Sequence, residues 1–239
     1  MKKLVKLFTL FLMSVFLSSC GQTQTNSPKE NIKAETKDIV TSPGCNDPNI
    51  HTKYEYTDSI GKRLIIQNSA SWGGIKYIDP NGEVYVYAYF WTRIINETDN
   101  PLELKIDFPV DSHEVPSLPG KYYKILVPPD TMTFDKKSLF DSGLTGLKSF
   151  LDSSIHKPSS LKRTINPKES SGFYVVMLCL VEGAHGTMRT GLSLKGQNLF
   201  YRIKVDGSRS NTKSSDKEIH CGSINLKNLM LAHNKVYQE

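Results

Sequence analysis

Turn-forming residues interrupt this chain about every ten residues from Arg63 onward, the spacing of a sandwich or barrel of short strands. Leu102-Glu103-Leu104-Lys105-Ile106-Asp107-Phe108 alternates strictly between apolar and charged, which predicts a strand with one wet face. Asp79-Pro80-Asn81-Gly82 has hairpin-turn chemistry and joins predicted strands at 74–78 and 84–95. Further strands are expected at 63–67, 122–127, 131–135, 172–181, 189–194, 199–205 and 223–226. Leu144, Leu147, Phe150 and Leu151 recur at helical spacing instead, so one short amphipathic helix over 143–155 is expected to cover an end or edge of the sheets. The fold class that follows is mainly β: a single antiparallel, immunoglobulin-like β-sandwich with one short helix, occupying residues 51–239.

The first twenty residues follow another logic. Lys2, Lys3 and Lys6 precede an apolar run from Leu7 to Leu17, and Leu17-Ser18-Ser19-Cys20 closes it. A positive start, a short greasy stretch and a small-residue end make residues 1–19 a secretory signal peptide, too short for a spanning anchor. Because the cleavage motif ends in cysteine, it looks like the lipobox of bacterial lipoproteins, in which Cys20 carries acyl chains such as palmitate. Each buried methylene contributes about 0.8 kcal/mol, and two or more chains hold a protein stably on a membrane. Residues 20–50 then read as the lipidated cysteine and a flexible tether, since 21–44 have no aromatic side chain and cannot offset the entropy of ordering.

Composition narrows the partners. Removal of Lys2, Lys3 and Lys6 with the signal lowers the formal charge from +6 to +3. That surplus is too small to argue for nucleic acid, and export argues against it. Of four cysteines, three remain after acylation of Cys20. Cys179 lies in an apolar strand, whereas Cys45 and Cys221 sit among turn residues and form the favoured disulfide pair, although spacing alone leaves all three pairings open. His220 and Cys221 have no second ligand pair at zinc spacing, so no metal and no cofactor is expected.

Phe90-Trp91-Thr92-Arg93-Ile94-Ile95-Asn96-Glu97-Thr98, Pro128-Pro129-Asp130-Thr131-Met132-Thr133, Gly143-Leu144-Thr145-Gly146-Leu147 and Thr164-Ile165-Asn166-Pro167-Lys168-Glu169 resemble segments of uncharacterised lipoproteins of the Bacteroidota. The resemblance covers roughly residues 60–205 and implies no activity. In that group surface display goes with acidic residues directly after the acylated cysteine. Gly21-Gln22-Thr23-Gln24-Thr25 has none. The resemblance therefore implies attachment to the outer membrane facing the periplasm, with surface exposure as the alternative.

Catalytic signatures are not apparent. The chain has no GxSxG or HExxH, its six histidines are scattered, and Asp130 with Asp135 or Glu97 with Asp99 read as solvated turn charges. Trp72-Gly73-Gly74 reads as a turn. Asn96-Glu97-Thr98 fits an N-glycosylation pattern but also reads as a turn. One pattern suggests a ligand: alternation from Val84 places Tyr85, Tyr87, Tyr89 and Trp91 on one strand face, and four rings in a row either pack under the helix or form an exposed platform. The expected function is a membrane-anchored, non-catalytic binding or assembly module of the cell envelope, with an envelope protein or glycan as partner. The alternatives are an envelope hydrolase with a site built from loops, and a glycan-binding module using the aromatic face.

Overall fold

The computed structural model describes residues 47–110, 113–114, 120, 122–179, 187–206, 215–226 and 232–238. In chain order the strands are β1 (Ile50–Thr57), β2 (Arg63–Ser69), β3 (Trp72–Ile78), β4 (Val84–Asn96), β5 (Leu102–Phe108), β6 (His113–Glu114), β7 (Tyr122–Leu126) and β8 (Thr131–Met132). Two 3-10 turns and the helix α1 (Leu147–Ser154) precede β9 (Ser159–Ile165), β10 (Ser170–Cys179), β11 (Thr187–Lys195), β12 (Asn198–Asp206), β13 (Ser215–Asn225) and β14 (Ala232–Gln238). They form two antiparallel sheets. The larger runs β14-β1-β2-β4-β10-β7-β6, with β3 on β4 and β8 on β10; the smaller runs β11-β12-β13-β5-β9. This is the expected sandwich with one short helix.

Between the sheets lies a core built by alternation. Leu102, Leu104, Ile106 and Phe108 of β5 point inward while Glu103, Lys105 and Asp107 stay in water. They meet Leu64, Ile66, Phe90, Ile94, Val175 and Met177 of the larger sheet. β10 reads as a continuous apolar run because it is buried on both faces: Phe173, Val175 and Met177 enter this core, and Tyr174, Val176 and Leu178 enter a second one behind the sheet. The second core is closed by Leu151 and Ile155 at α1, with Leu144 and Met132 beside them.

Several sequence-based boundaries move. β1, β9 and β14 were not anticipated, because polar residues dilute their alternation. β13 extends back to Ser215, so Cys221 belongs to a strand, not a turn. It is buried as a free thiol with Sγ 3.5 Å from the Leu199 carbonyl, while Cys45, its expected disulfide partner, lies outside the described residues. Trp72-Gly73-Gly74 opens a strand instead of forming a turn, with a register shift between Gly73 and Ile75. A Cβ on Gly73 would stand 2.4 Å from the Ala88 Cα, and Gly74 has φ +82°, so this close, bulged approach of β3 to β4 requires both glycines. The Asn96 side chain is fully buried. Its amide donates to the carbonyls of Asn100 and Ile165 at 2.8 and 3.0 Å, and its oxygen accepts from Thr98, so the apparent glycosylation motif is a structural turn.

Candidate functional site

The aromatic face of β4 is not a platform. Tyr85, Tyr89 and Trp91 are buried and Tyr87 is half-buried against the same cluster. The rings lie under Leu151 and Ile155, with Leu126 and Val176 beside them, so burial of apolar area that could have met a ligand holds α1 to the sheet instead. Tyr77 of β3 donates its hydroxyl to Asp152 at 2.8 Å and ties the helix to the strand below it. The other face of β4 also departs from expectation, for Val84 is exposed and Val86 half-buried where sandwich core was expected.

The groups that do converge lie on a seam where β11 crosses β1 and β2. As the edge strand of the smaller sheet, β11 needs partners for its outer backbone groups. Side chains of the larger sheet supply them. Asn68 accepts from the Leu192 N–H at 2.9 Å and donates to the Leu192 carbonyl at 3.1 Å, as a neighbouring strand would. The same amide takes a hydrogen bond from Thr92 at 2.9 Å and gives one to Thr52 at 3.0 Å, leaving no polar atom of Asn68 idle. Tyr56 completes the edge by accepting from the Leu194 N–H at 2.8 Å. Gly191 is needed for the approach, since a Cβ there would sit 3.1 Å from the Asn68 amide nitrogen.

Outside this sealed edge runs a polar groove. A cavity of about 280 Å³ is lined by Tyr54, Tyr56, Ser193, Lys195, Arg202 and Glu218, and it continues past Tyr54 and Arg202 to His51 and Arg189. The β1 register skips His51, and this irregularity brings the imidazole within 3.3 Å of the Arg189 guanidinium. Arg202 donates two hydrogen bonds to Asp216, at 2.9 and 2.8 Å, and pairs with it a third time through Nη2. Lys195 pairs with Glu218. The Ser193 hydroxyl is buried and meets no hydrogen-bond partner among the described residues.

Two tyrosines and an arginine of this groove are held in their protonated forms. Burial pushes the Tyr54 and Tyr56 hydroxyls above their ordinary value. The hydrogen bonds to Asp216 push the Arg202 guanidinium higher as well. Near neutral pH these groups keep their protons and serve as fixed donors, whereas an acid–base catalyst needs a group poised near the working pH. The acidic pairs considered from sequence are structural: Glu97 is held by Arg63 at 2.6 Å, Asp99 by Lys168 at 2.9 Å, and Asp130 by Thr145 and Lys136.

Cys20 lies outside the described residues, as do the remaining residues of the leader and most of the tether. The seam was not legible beforehand. Tyr54 and Tyr56 carry a faint signal in Tyr54-Glu55-Tyr56, an alternation that marks a strand, but nothing around Asn68, Ser193 or Arg202 in the sequence distinguishes them. Among the described residues no helix is long and apolar enough to cross a membrane. The chain matches no family model, no curated protein and no solved structure.

Proposed function

We propose that this chain is an exported lipoprotein, held by acylated Cys20 on the periplasmic face of the outer membrane, whose sandwich is a non-catalytic binding module of the cell envelope. The leader and lipobox support the address, and so does the resemblance to Bacteroidota lipoproteins. The groove at the seam supports the role. One observation carries it: a buried Ser193 hydroxyl without a partner among the described residues shares a cavity of about 280 Å³ with the phenols Tyr54 and Tyr56 and with Arg202, a set of hydrogen-bonding groups held in place before any ligand arrives.

The chemistry suits a small, hydroxyl-rich or carboxyl-bearing ligand such as an envelope glycan fragment. Tyrosine rings offer apolar faces, and the guanidinium and hydroxyl fix orientation. Calorimetric titration of the purified chain with envelope glycan fragments tests the role. Saturable binding that Ser193→Leu and Arg202→Ala each abolish is expected. Binding unchanged by both substitutions would reject the groove, and turnover of a fragment would reject a non-catalytic role. Sedimentation of the chain with membranes, lost in Cys20→Ser, tests the address.

A further inference from the structure

Beyond the groove, the β3–β4 hairpin carries an apolar surface that the fold leaves open. Trp72 is 47 % exposed, Ile75 39 %, Ile78 52 % and Val84 38 %. In an unbroken strand Trp72 and Ile75, three residues apart, would point to opposite faces. The extra residue at Gly74 changes this: Trp72 pairs with Tyr89 and Ile75 with Tyr87, so both side chains share one face. Ile78 pairs with Val84 near the end of the hairpin and lies with exposed Lys76 on the opposite face, so the two apolar sets flank the outer edge of β3 from its two sides. Lys148, mostly in water, stands over the Tyr77 ring at 6.0 Å and pairs with Asp152 at 2.8 Å beside the strand. β3 is an edge segment, paired only with β4 among the described residues.

The position of the chain entry says what such a surface would meet. β1 starts at Ile50, which pairs with Ser69 at the end of β2, and Trp72 opens β3 three residues later, at most about 11 Å farther along the chain. The described residues begin at Asp47, three residues before Ile50 and paired with Lys137, and 26 residues separate it from Cys20. A flexible chain of that length would span about 28 Å root-mean-square, and tethering of this kind gives millimolar effective concentrations.

We propose that the β3–β4 hairpin is a membrane-docking edge, with Trp72, Ile75, Ile78 and Val84 settling into the headgroup layer of the bilayer that holds the acyl anchor. The proposal rests on acylation at Cys20. Tryptophan is the residue best suited to the interface, and exposed Lys76 reaches a lipid phosphate while its stem lies along apolar surface. The unpaired backbone edge of β3 limits the depth, because its N–H and C=O groups must keep water or headgroup partners. Docking would give the tethered domain one orientation on the membrane.

The chain's two tryptophans make the test direct, since Trp91 is 1 % exposed and Trp72 alone faces outward. Acylated protein is reconstituted into vesicles of phosphatidylethanolamine and phosphatidylglycerol with brominated acyl chains, and the vesicles are floated. Expected are co-flotation, loss of most Trp72 emission to the bromolipid, and protection of Trp72 from acrylamide. Trp72→Phe identifies that component. The double substitution Ile75→Asp and Ile78→Asp should restore acrylamide access to Trp72 while the protein still floats. Protein that floats with Trp72 open to acrylamide overturns docking and leaves the anchor standing. Protein absent from the floated fraction overturns the anchor and the docking that depends on it. Protection from acrylamide without bromolipid quenching assigns the patch to a second copy of the chain and also overturns the proposal.

Discussion

Trp72 and Trp91 lie on adjacent strands and project from the same face of one sheet, since Trp72 pairs with Tyr89 and Trp91 stands two residues farther along β4. One is 47 % exposed and the other 1 %. The strands themselves do not make the difference. α1 and the segment before it lie over Trp91 and stop short of Trp72, so cover supplied by residues 132–155 decides which ring belongs to a core. The two strand edges repeat the contrast. At β11 the backbone is sealed by Asn68 and Tyr56, whereas the outer edge of β3 has no strand partner among the described residues. Sealed regions carry stability; open ones are where this molecule has surface to spend on partners.

The sharpest way to break the comparison is to truncate both rings. Trp91→Ala should cost about 3–5 kcal/mol in urea unfolding, and Trp72→Ala should stay within about 0.5 kcal/mol. Equal losses would mean that the cover over Trp91 is not real. Because the Trp91 indole N–H finds no acceptor among the described residues, Trp91→Phe should cost distinctly less than Trp91→Ala.

Removing the cover from above gives the next largest effect. Leu151→Ala should cost about 2–5 kcal/mol and open Trp91 to acrylamide in the native state, while quenching of Trp72 stays as it was. At the sealed edge, Asn68→Ala strands the Leu192 N–H and carbonyl and should cost about 1–3 kcal/mol, measured by thermal or denaturant unfolding. An unchanged midpoint would show that the β11 edge needs no seal.

Two milder tests sharpen the picture. Burial pushes the Cys179 thiol up to about 11 and Cys221 up to about 12, so neither should react with a thiol reagent at neutral pH until the protein unfolds. Fast native labelling of either would place it outside the sandwich core. The last concerns acid. Burial alone would raise the Asp130 carboxyl, but hydrogen bonds from the Thr145 backbone and the charge of Lys136 hold it below 3.8. A lowered native value stabilises the fold above the ordinary carboxyl range, and that contribution declines as pH falls below about 3.8 and is gone beneath the native value. Asp130 secures Thr145 just ahead of α1, so acid should loosen the cover over Trp91 first, and Asp130→Asn should flatten the stability profile in that window.

What could be read in advance followed the strength of the local pattern. Strict alternation gave β5, a continuous apolar run gave β10, and Asp79-Pro80-Asn81-Gly82 gave the turn between β3 and β4. β1 was missed because Thr52 weakens the apolar side of its alternation, and β9 because Ser159 and Arg163 stand at inward positions where apolar residues would mark a strand. Asn68 was missed for a different reason. Its partners Leu192 and Thr92 are 124 and 24 residues away, and a single amide leaves no periodic trace.

The amino-acid sequence by itself determined the strand periodicity, the buried central strand and the helix, because each depends on neighbours within a few residues. It also determined that four aromatic residues share one face of β4. Only the tertiary structure decided that this face is interior, that Trp72 is left in the open, and that Asn68 closes the sandwich at β11. Alternation fixes the side of a sheet to which a ring points. Whether water remains on that side depends on a segment far along the chain, and packing alone brings that segment there.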